Sequence, residues 1–176
     1  MSSYLTEDDT DDEIQGEVDP VAVQTALEEA AAFKSVGNEA FKVQDYESAL
    51  KAYTEAINAL KRSNCPKDPI LFLNRSATYL ALKRYIPANY DAAQAASLDP
   101  TNWKAHWRQG VALISMTKKS FRCKQAIEAF EKCLSCGTLP ADKVAETKQA
   151  ISKSQQLLAD IEANTPMPDM SNCMPS

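Results

Sequence analysis

The chain has 176 residues, a formal net charge of −5, 44% hydrophobic residues and 24% charged residues, which allows one water-soluble domain with a sizeable core. No apolar run reaches the ~18 residues that a membrane span needs, and the amino terminus lacks the basic start and hydrophobic segment of a secretory signal. We therefore expect a cytosolic protein with no membrane contact, and the scarcity of glycine, four residues in all, favours helix.

The first twenty residues are strongly acidic. Residues 1–20 contain eight Asp and Glu and no Lys or Arg, and a segment with this charge and so few large apolar side chains is predicted to be a disordered tail. The rest of the chain then carries 19 basic and 16 acidic residues, a net charge of +3. A sequence pI near 5.0 together with this acidic tail argues against nucleic-acid binding.

Apolar residues recur at helical spacing through most of the remaining chain. Asp19-Pro20 is a helix start, because Asp can cap the first turn and Pro fits inside it. We predict helices at about 21–43, 46–62, 70–82, 86–97, 102–116 and 123–136. A seventh helix is predicted after Pro140, with an apolar face formed by Val144, Ile151, Leu158 and Ile161. These helices form one domain, 21–163, and residues 164–176 are predicted to be a disordered tail.

The helices form pairs that repeat along the chain. Gly37 to Ala49 spans twelve residues, as does Ser76 to Ala88, and Ser76 to Gly110 spans thirty-four. Five extra residues lengthen the first period within 62–68, and four extra residues lengthen the third turn within 117–124. Self-similarity at about 34 residues is typical of stacked helical repeats.

Residues 25–139 therefore resemble the tetratricopeptide repeat family. The resemblance implies an all-α fold of three helix–turn–helix repeats in a right-handed superhelix. The seventh helix is expected to cap the open face of the third repeat. One departure is Ala92, where the second unit should have an aromatic residue. We expect a monomer.

Residues for catalysis or metal binding are missing from the sequence. It contains no phosphate-binding glycine motif, and its only histidine, His106, has no evident partner for nucleophilic catalysis. Cys133-Leu-Ser-Cys136 is a lone CxxC that would need two more ligands to hold zinc, and Cys133 stands where the repeat wants a small buried residue. We expect no enzymatic activity, no catalytic residue, no metal and no cofactor.

Five polar residues on the first helices of the repeats match the two-carboxylate clamp of tetratricopeptide co-chaperones: Lys34, Asn38, Asn74, Lys104 and Arg108. In that family the clamp holds the extreme carboxy terminus of heat-shock chaperones that end in Glu-Glu-Val-Asp. A free terminal Asp presents two carboxylates, and three cations with two amides can bind both through charge-assisted hydrogen bonds. A single Lys or Asn on a helix is usually solvated or structural, but the five together favour the clamp.

The resemblance also implies a groove wall beside the clamp, formed by Leu73, Ala77, Ala81 and Trp107. Ala77 and Ala81 would leave a shallow apolar floor for the Val side chain next to the terminal Asp. Trp107 lies between Lys104 and Arg108 in the sequence, and its indole can either line the groove or pack into the core.

The predicted function is a non-catalytic cytosolic co-chaperone or adaptor. Its expected partner is the carboxy-terminal tail of the ninety- or seventy-kilodalton heat-shock chaperones. The alternative is a structural scaffold whose repeats bind an internal segment of another partner.

Overall fold

The computed structural model describes residues 19–116 and 119–164. Within these residues it contains seven α-helices and no strand: α1 Pro20–Lys42, α2 Tyr46–Arg62, α3 Pro69–Ala81, α4 Tyr85–Leu98, α5 Trp103–Ser115, α6 Ser120–Ser135 and α7 Ala141–Ala163. Each helix packs against the next along the chain, and α3 also contacts α5. The predicted all-α fold of three helix pairs and a capping helix is thus confirmed.

The predicted helix limits agree closely with the observed ones. The limits of α2 are those predicted, and α1, α3, α4 and α5 differ by one residue at each end. The exception is α6, which begins at Ser120 rather than Cys123 because part of the inserted turn joins the helix. Of the predicted tails, residues 1–18 and 165–176 lie outside the described residues, so the tails and the domain limits stay predictions.

Side-chain caps fix where α1 and α3 begin. The carboxylate of Asp19 accepts a hydrogen bond from the Val21 amide at 2.9 Å, and that of Asp68 accepts one from the Ile70 amide at 2.8 Å. A proline follows each cap as the first helical residue, where its missing amide costs no hydrogen bond. The cap holds the Asp68 carboxylate at the start of α3.

The turns inside the first two repeats have the same backbone geometry. Gln44 and Lys83 both adopt left-handed conformations, with φ of 63° and 56°. In each turn the next amide reaches back five residues: Asp45 to the Ala40 carbonyl at 2.9 Å, and Arg84 to the Tyr79 carbonyl at 2.8 Å. Such bonds satisfy the last carbonyls of a helix, so each turn ends one helix and directs the next back along it.

Close helix packing explains the glycines of the first and third repeats. A Cβ added to Gly37 would lie 2.7 Å from the Tyr53 ring, and one added to Gly110 would lie 2.5 Å from the Phe130 ring. Both distances are too short for carbon atoms in contact. Glycine is therefore required wherever an aromatic ring of the second helix covers the first.

The second repeat pairs different residues at the same two places. Ser76 replaces the glycine and donates a hydrogen bond from its hydroxyl to the Ala88 carbonyl at 2.8 Å. Ala92 replaces the aromatic residue, and both Ser76 and Ala92 are fully buried. The departure seen at Ala92 is therefore compensated by a larger residue on the facing helix.

The most buried residues of the cap helix α7 are small and polar. Thr147 and Ser154 are its buried residues, and their hydroxyls bond to the Lys143 and Ala150 carbonyls at 2.8 Å. Ile151 packs against the third-repeat core. The predicted apolar face, Val144, Ile151, Leu158 and Ile161, is only partly buried, so helical periodicity located this face but not its most buried positions.

Removing the cap should destabilise the domain. Deletion of residues 140–176 exposes Leu113 and Phe130 of the core that α7 covers, and each large buried side chain contributes about 1.5–3 kcal/mol. We expect the truncated protein to melt well below the full chain or to aggregate, as measured by circular dichroism and light scattering. Deletion of residues 165–176 alone is the control and should leave the melting temperature unchanged. Equal melting temperatures for both truncations would contradict the capping role.

Candidate functional site

The predicted clamp residues lie on the first helices of the three repeats. Three cavities of about 310, 350 and 300 Å³ adjoin these helices, and Arg108 lines all three. We call this surface the concave groove and define it by Asn38, Asn74, Ala77, Lys104 and Arg108. The structure thus brings four of the five predicted clamp residues together.

Lys34, the fifth predicted clamp residue, is not among the residues that line these cavities. Its ammonium group forms an ion pair with the Asp68 carboxylate, with 3.0 Å between Nζ and Oδ2. Both side chains are partly exposed, and the pair connects α1 to the cap of α3.

The two clamp asparagines are joined in one hydrogen-bond network. The Asn38 side-chain oxygen accepts from the Tyr53 hydroxyl at 2.8 Å and from the Asn74 side-chain amide at 3.2 Å. Because these bonds use the acceptor of Asn38, its NH₂ group remains as a donor, and Asn74 keeps one N–H of its own. The network therefore leaves amide N–H groups that can donate to a ligand with hydrogen-bond acceptors.

Arg108 is a cation in a largely desolvated position. One guanidinium N–H group donates to the backbone carbonyl of Leu73, and burial lowers the pKa of Arg108 from its usual value to about 10. The side chain therefore stays charged at neutral pH. Among the described residues it forms no ion pair, and a buried charge without a counter-ion is costly. An anionic ligand would supply the missing partner.

Lys104 lies one turn before Arg108 on the same face of α5. Its ammonium group lies 5.8 Å from the centre of the Trp103 ring, and its side chain lines two of the three cavities. Within the described part of the chain it too has no ion pair. Among the described residues neither Lys104 nor Arg108 forms an ion pair, although Asp99 and Glu146 each line one of the cavities that these two cations share.

The four predicted wall residues have different positions. Ala77 is half-buried and lines two of the cavities, whereas Ala81 is exposed near the end of α3. Leu73 is buried in the core, but its backbone carbonyl binds Arg108. Trp107 has both of its expected roles, because it lines the 300 Å³ cavity and its ring lies 5.2 Å from that of Phe130.

Two residues that contact the clamp were not expected from the sequence. Tyr53 is a buried aromatic residue of α2, yet its hydroxyl donates to Asn38, and burial raises the pKa of this hydroxyl. Asp68 lies between the second and third predicted helices, and its contact with Lys34 follows from its place as the cap of α3. A cap signal, Asp before Pro, was present in the sequence, but nothing local indicated which side chain it would face.

The remaining reactive residues have structural positions. Burial raises the pKa of the Cys133 thiol to about 11 and also raises the pKa of Cys136, which keeps both as neutral thiols. His106 is buried and bonds through Nε2 to the Pro100 carbonyl at 2.9 Å. Among the described residues, no group of three or more His, Cys, Asp and Glu could hold a metal ion. None of the described helices is long and apolar enough to cross a membrane.

Comparison with known proteins finds relatives and solved structures that contain tetratricopeptide repeats. No protein-family model matches it. A curated relative, small glutamine-rich tetratricopeptide repeat-containing protein 2 of Mycosarcoma maydis, is 35% identical over 129 residues, which cover 73% of this chain and 34% of that protein. The chain thus spans about a third of the length of this relative.

Solved structures match the fold over nearly their whole length. The second TPR of Spaghetti (RPAP3), bound to the HSP90 peptide SRMEEVD, is 31% identical with a TM-score of 0.57, covering 66% of this chain and 98% of that one. The second TPR domain of human RPAP3, in complex with the HSP70 peptide SGPTIEEVD, is 28% identical with a TM-score of 0.62, covering 74% and 98%. These matches support the predicted superhelical stacking of the helix pairs.

Proposed function

This chain belongs to the tetratricopeptide repeat family, and we propose that it is a non-catalytic co-chaperone or adaptor that binds the carboxy-terminal tail of cytosolic heat-shock chaperones. The observation that carries the proposal is the pair of unpaired cations in the concave groove, Lys104 and Arg108. Arg108 is mostly desolvated and has no carboxylate partner among the described residues. A ligand with closely spaced carboxylates is the partner that this arrangement favours.

The terminal residue of the proposed ligand matches the groove in charge and in hydrogen bonding. A free carboxy-terminal Asp carries two carboxylates a few bonds apart. Arg108 and Lys104 would bind these carboxylates as charge-assisted donors, and the Asn38 and Asn74 amides would complete the set. The two peptides bound by the similar domains both end in Glu-Glu-Val-Asp, which presents this group.

The neighbouring Val of the ligand needs only a small apolar surface. Ala77 lies between the 310 and 300 Å³ cavities and lines both. Its short side chain leaves room above α3 for a branched aliphatic group. Trp107, at the 300 Å³ cavity, would form the adjoining wall.

A titration with free and amidated peptides tests this function. We expect the peptides SRMEEVD and SGPTIEEVD to bind at micromolar strength by calorimetry, about 8 kcal/mol in total. Amidation of the terminal carboxylate removes one charge-assisted contact and should weaken binding by about ten- to hundredfold. A scaffold that binds an internal segment would not need the free terminus, so equal affinities for acid and amide would contradict the proposal.

A further inference from the structure

The first cation of the clamp already holds a carboxylate from the chain itself. Asp68 uses both of its oxygens: Oδ1 accepts from the Ile70 amide at 2.8 Å and Oδ2 pairs with Lys34 Nζ at 3.0 Å. The cap therefore fixes this carboxylate in front of the lysine. The proline that follows, Pro69, further restricts the backbone at this point.

The three clamp cations consequently differ in availability. Lys104 and Arg108 have no ion pair among the described residues, whereas Lys34 is paired and absent from the lining of the three cavities. An incoming carboxylate would find two open cations and one occupied cation. The occupied one is the only contribution of α1 to the charge of the clamp.

We propose that Asp68 is an affinity-determining residue of the groove, an internal carboxylate that competes with the ligand for Lys34. The proposal rests on the function proposed above. To engage Lys34, a ligand carboxylate must displace Asp68 or share the ammonium group with it. The side chains of Lys34 and Asp68 are 35% and 28% exposed, so the pair is partly screened and breaks at modest cost. Competition therefore lowers affinity without closing the site.

Asp68→Asn removes the negative charge of this residue and keeps its helix cap. Asn is as good a helix cap as Asp, so α3 should still begin at Pro69, while Lys34 loses its counter-ion. We expect this variant to bind SRMEEVD about two- to fivefold more tightly than the unchanged protein, the range expected for a weak, partly exposed pair. The titration is made at low ionic strength, where such pairs are least screened.

Asp45→Asn is the matched control. Asp45 caps α2 by accepting from the Ser48 amide at 3.1 Å, and it forms no ion pair with a clamp residue. Its substitution makes the same change in net charge and preserves a cap in the same way. We expect its peptide affinity to equal that of the unchanged protein, which would show that the gain in Asp68→Asn is not a general charge effect.

The same substitution made in a Lys34→Met variant tests whether the gain in peptide affinity requires Lys34. In Lys34→Met, the added Asp68→Asn substitution should give no further tightening, because the cation for which Asp68 competes is gone. Unchanged or weaker binding by Asp68→Asn alone would overturn the proposal, as would an equal gain in the Lys34→Met background. If the unchanged protein does not bind the peptide, or binds it independently of Arg108, the proposed function fails and this inference with it.

Discussion

Replacing Arg108 with Met should weaken binding of SRMEEVD by about ten- to hundredfold, because a hydrogen bond to a charged group contributes about 1.5–3 kcal/mol. Lys104→Met should have a similar but smaller effect, since Lys104 is exposed whereas Arg108 is largely buried. Calorimetric titration measures both. Lys51→Met, an exposed residue of α2, is the control and should bind as the unchanged protein does.

The Arg108 substitution should leave the fold intact. It removes the hydrogen bond to the Leu73 carbonyl, but it also removes a desolvated charge that has no counter-ion among the described residues, and these two effects oppose each other. We expect the melting temperature to change by less than about 4 °C. Unchanged peptide affinity in both Arg108→Met and Lys104→Met would contradict the clamp assignment.

Replacing Asp91 with Ala should be the most destabilising single polar substitution that we propose. Asp91 binds Arg75 through two hydrogen bonds, Nε to Oδ2 at 2.7 Å and a terminal nitrogen to Oδ1 at 2.9 Å. The side chains are 1% and 15% exposed. Arg75 also donates to the Thr54 hydroxyl at 3.3 Å, which links the first repeat to the second.

The loss of Asp91 leaves the Arg75 charge buried without its partner. Breaking such a pair costs about 3–5 kcal/mol, which corresponds to a fall in melting temperature of roughly 10 °C or more. The control is Glu47→Ala, which breaks the exposed pair of Glu47 with Arg84 and should cost less than about 1 kcal/mol. Similar melting temperatures for the two variants would show that the Arg75–Asp91 pair does not stabilise the packing of α3 against α4.

The repeat architecture could be predicted because its signals are local. Each helix pair carries small and large apolar residues at fixed spacing, and caps such as Asp19-Pro20 mark the starts. The predicted start of α6 was wrong, because four extra residues obscure the turn that precedes this helix. The buried Thr147 and Ser154 of α7 were also missed, since small hydroxyl residues that bond to their own helix do not contribute to an apolar periodicity.

The groove residues could be predicted as a set of hydrogen-bond donors, but their contacts with other residues could not. Family resemblance located Asn38, Asn74, Lys104 and Arg108, and the structure gathers these four along one surface. The family resemblance could not reveal that Lys34 forms an ion pair. Its partner, Asp68, lies in a different repeat and faces Lys34 only after α1 and α3 have packed. Contacts between distant helices depend on the packed fold and have no local signature.

The most direct test of the proposed contact changes both of its partners, the terminal carboxylate of the peptide and Arg108, in one set of titrations. SRMEEVD and its amidated form are titrated against the unchanged protein and against Arg108→Met, and the four affinities give a coupling between the terminal carboxylate and the guanidinium group. If Arg108 binds that carboxylate, amidation should weaken binding about ten- to hundredfold in the unchanged protein and only slightly in the variant. An equal loss on amidation in both proteins would contradict the account, because the carboxylate would then be bound elsewhere.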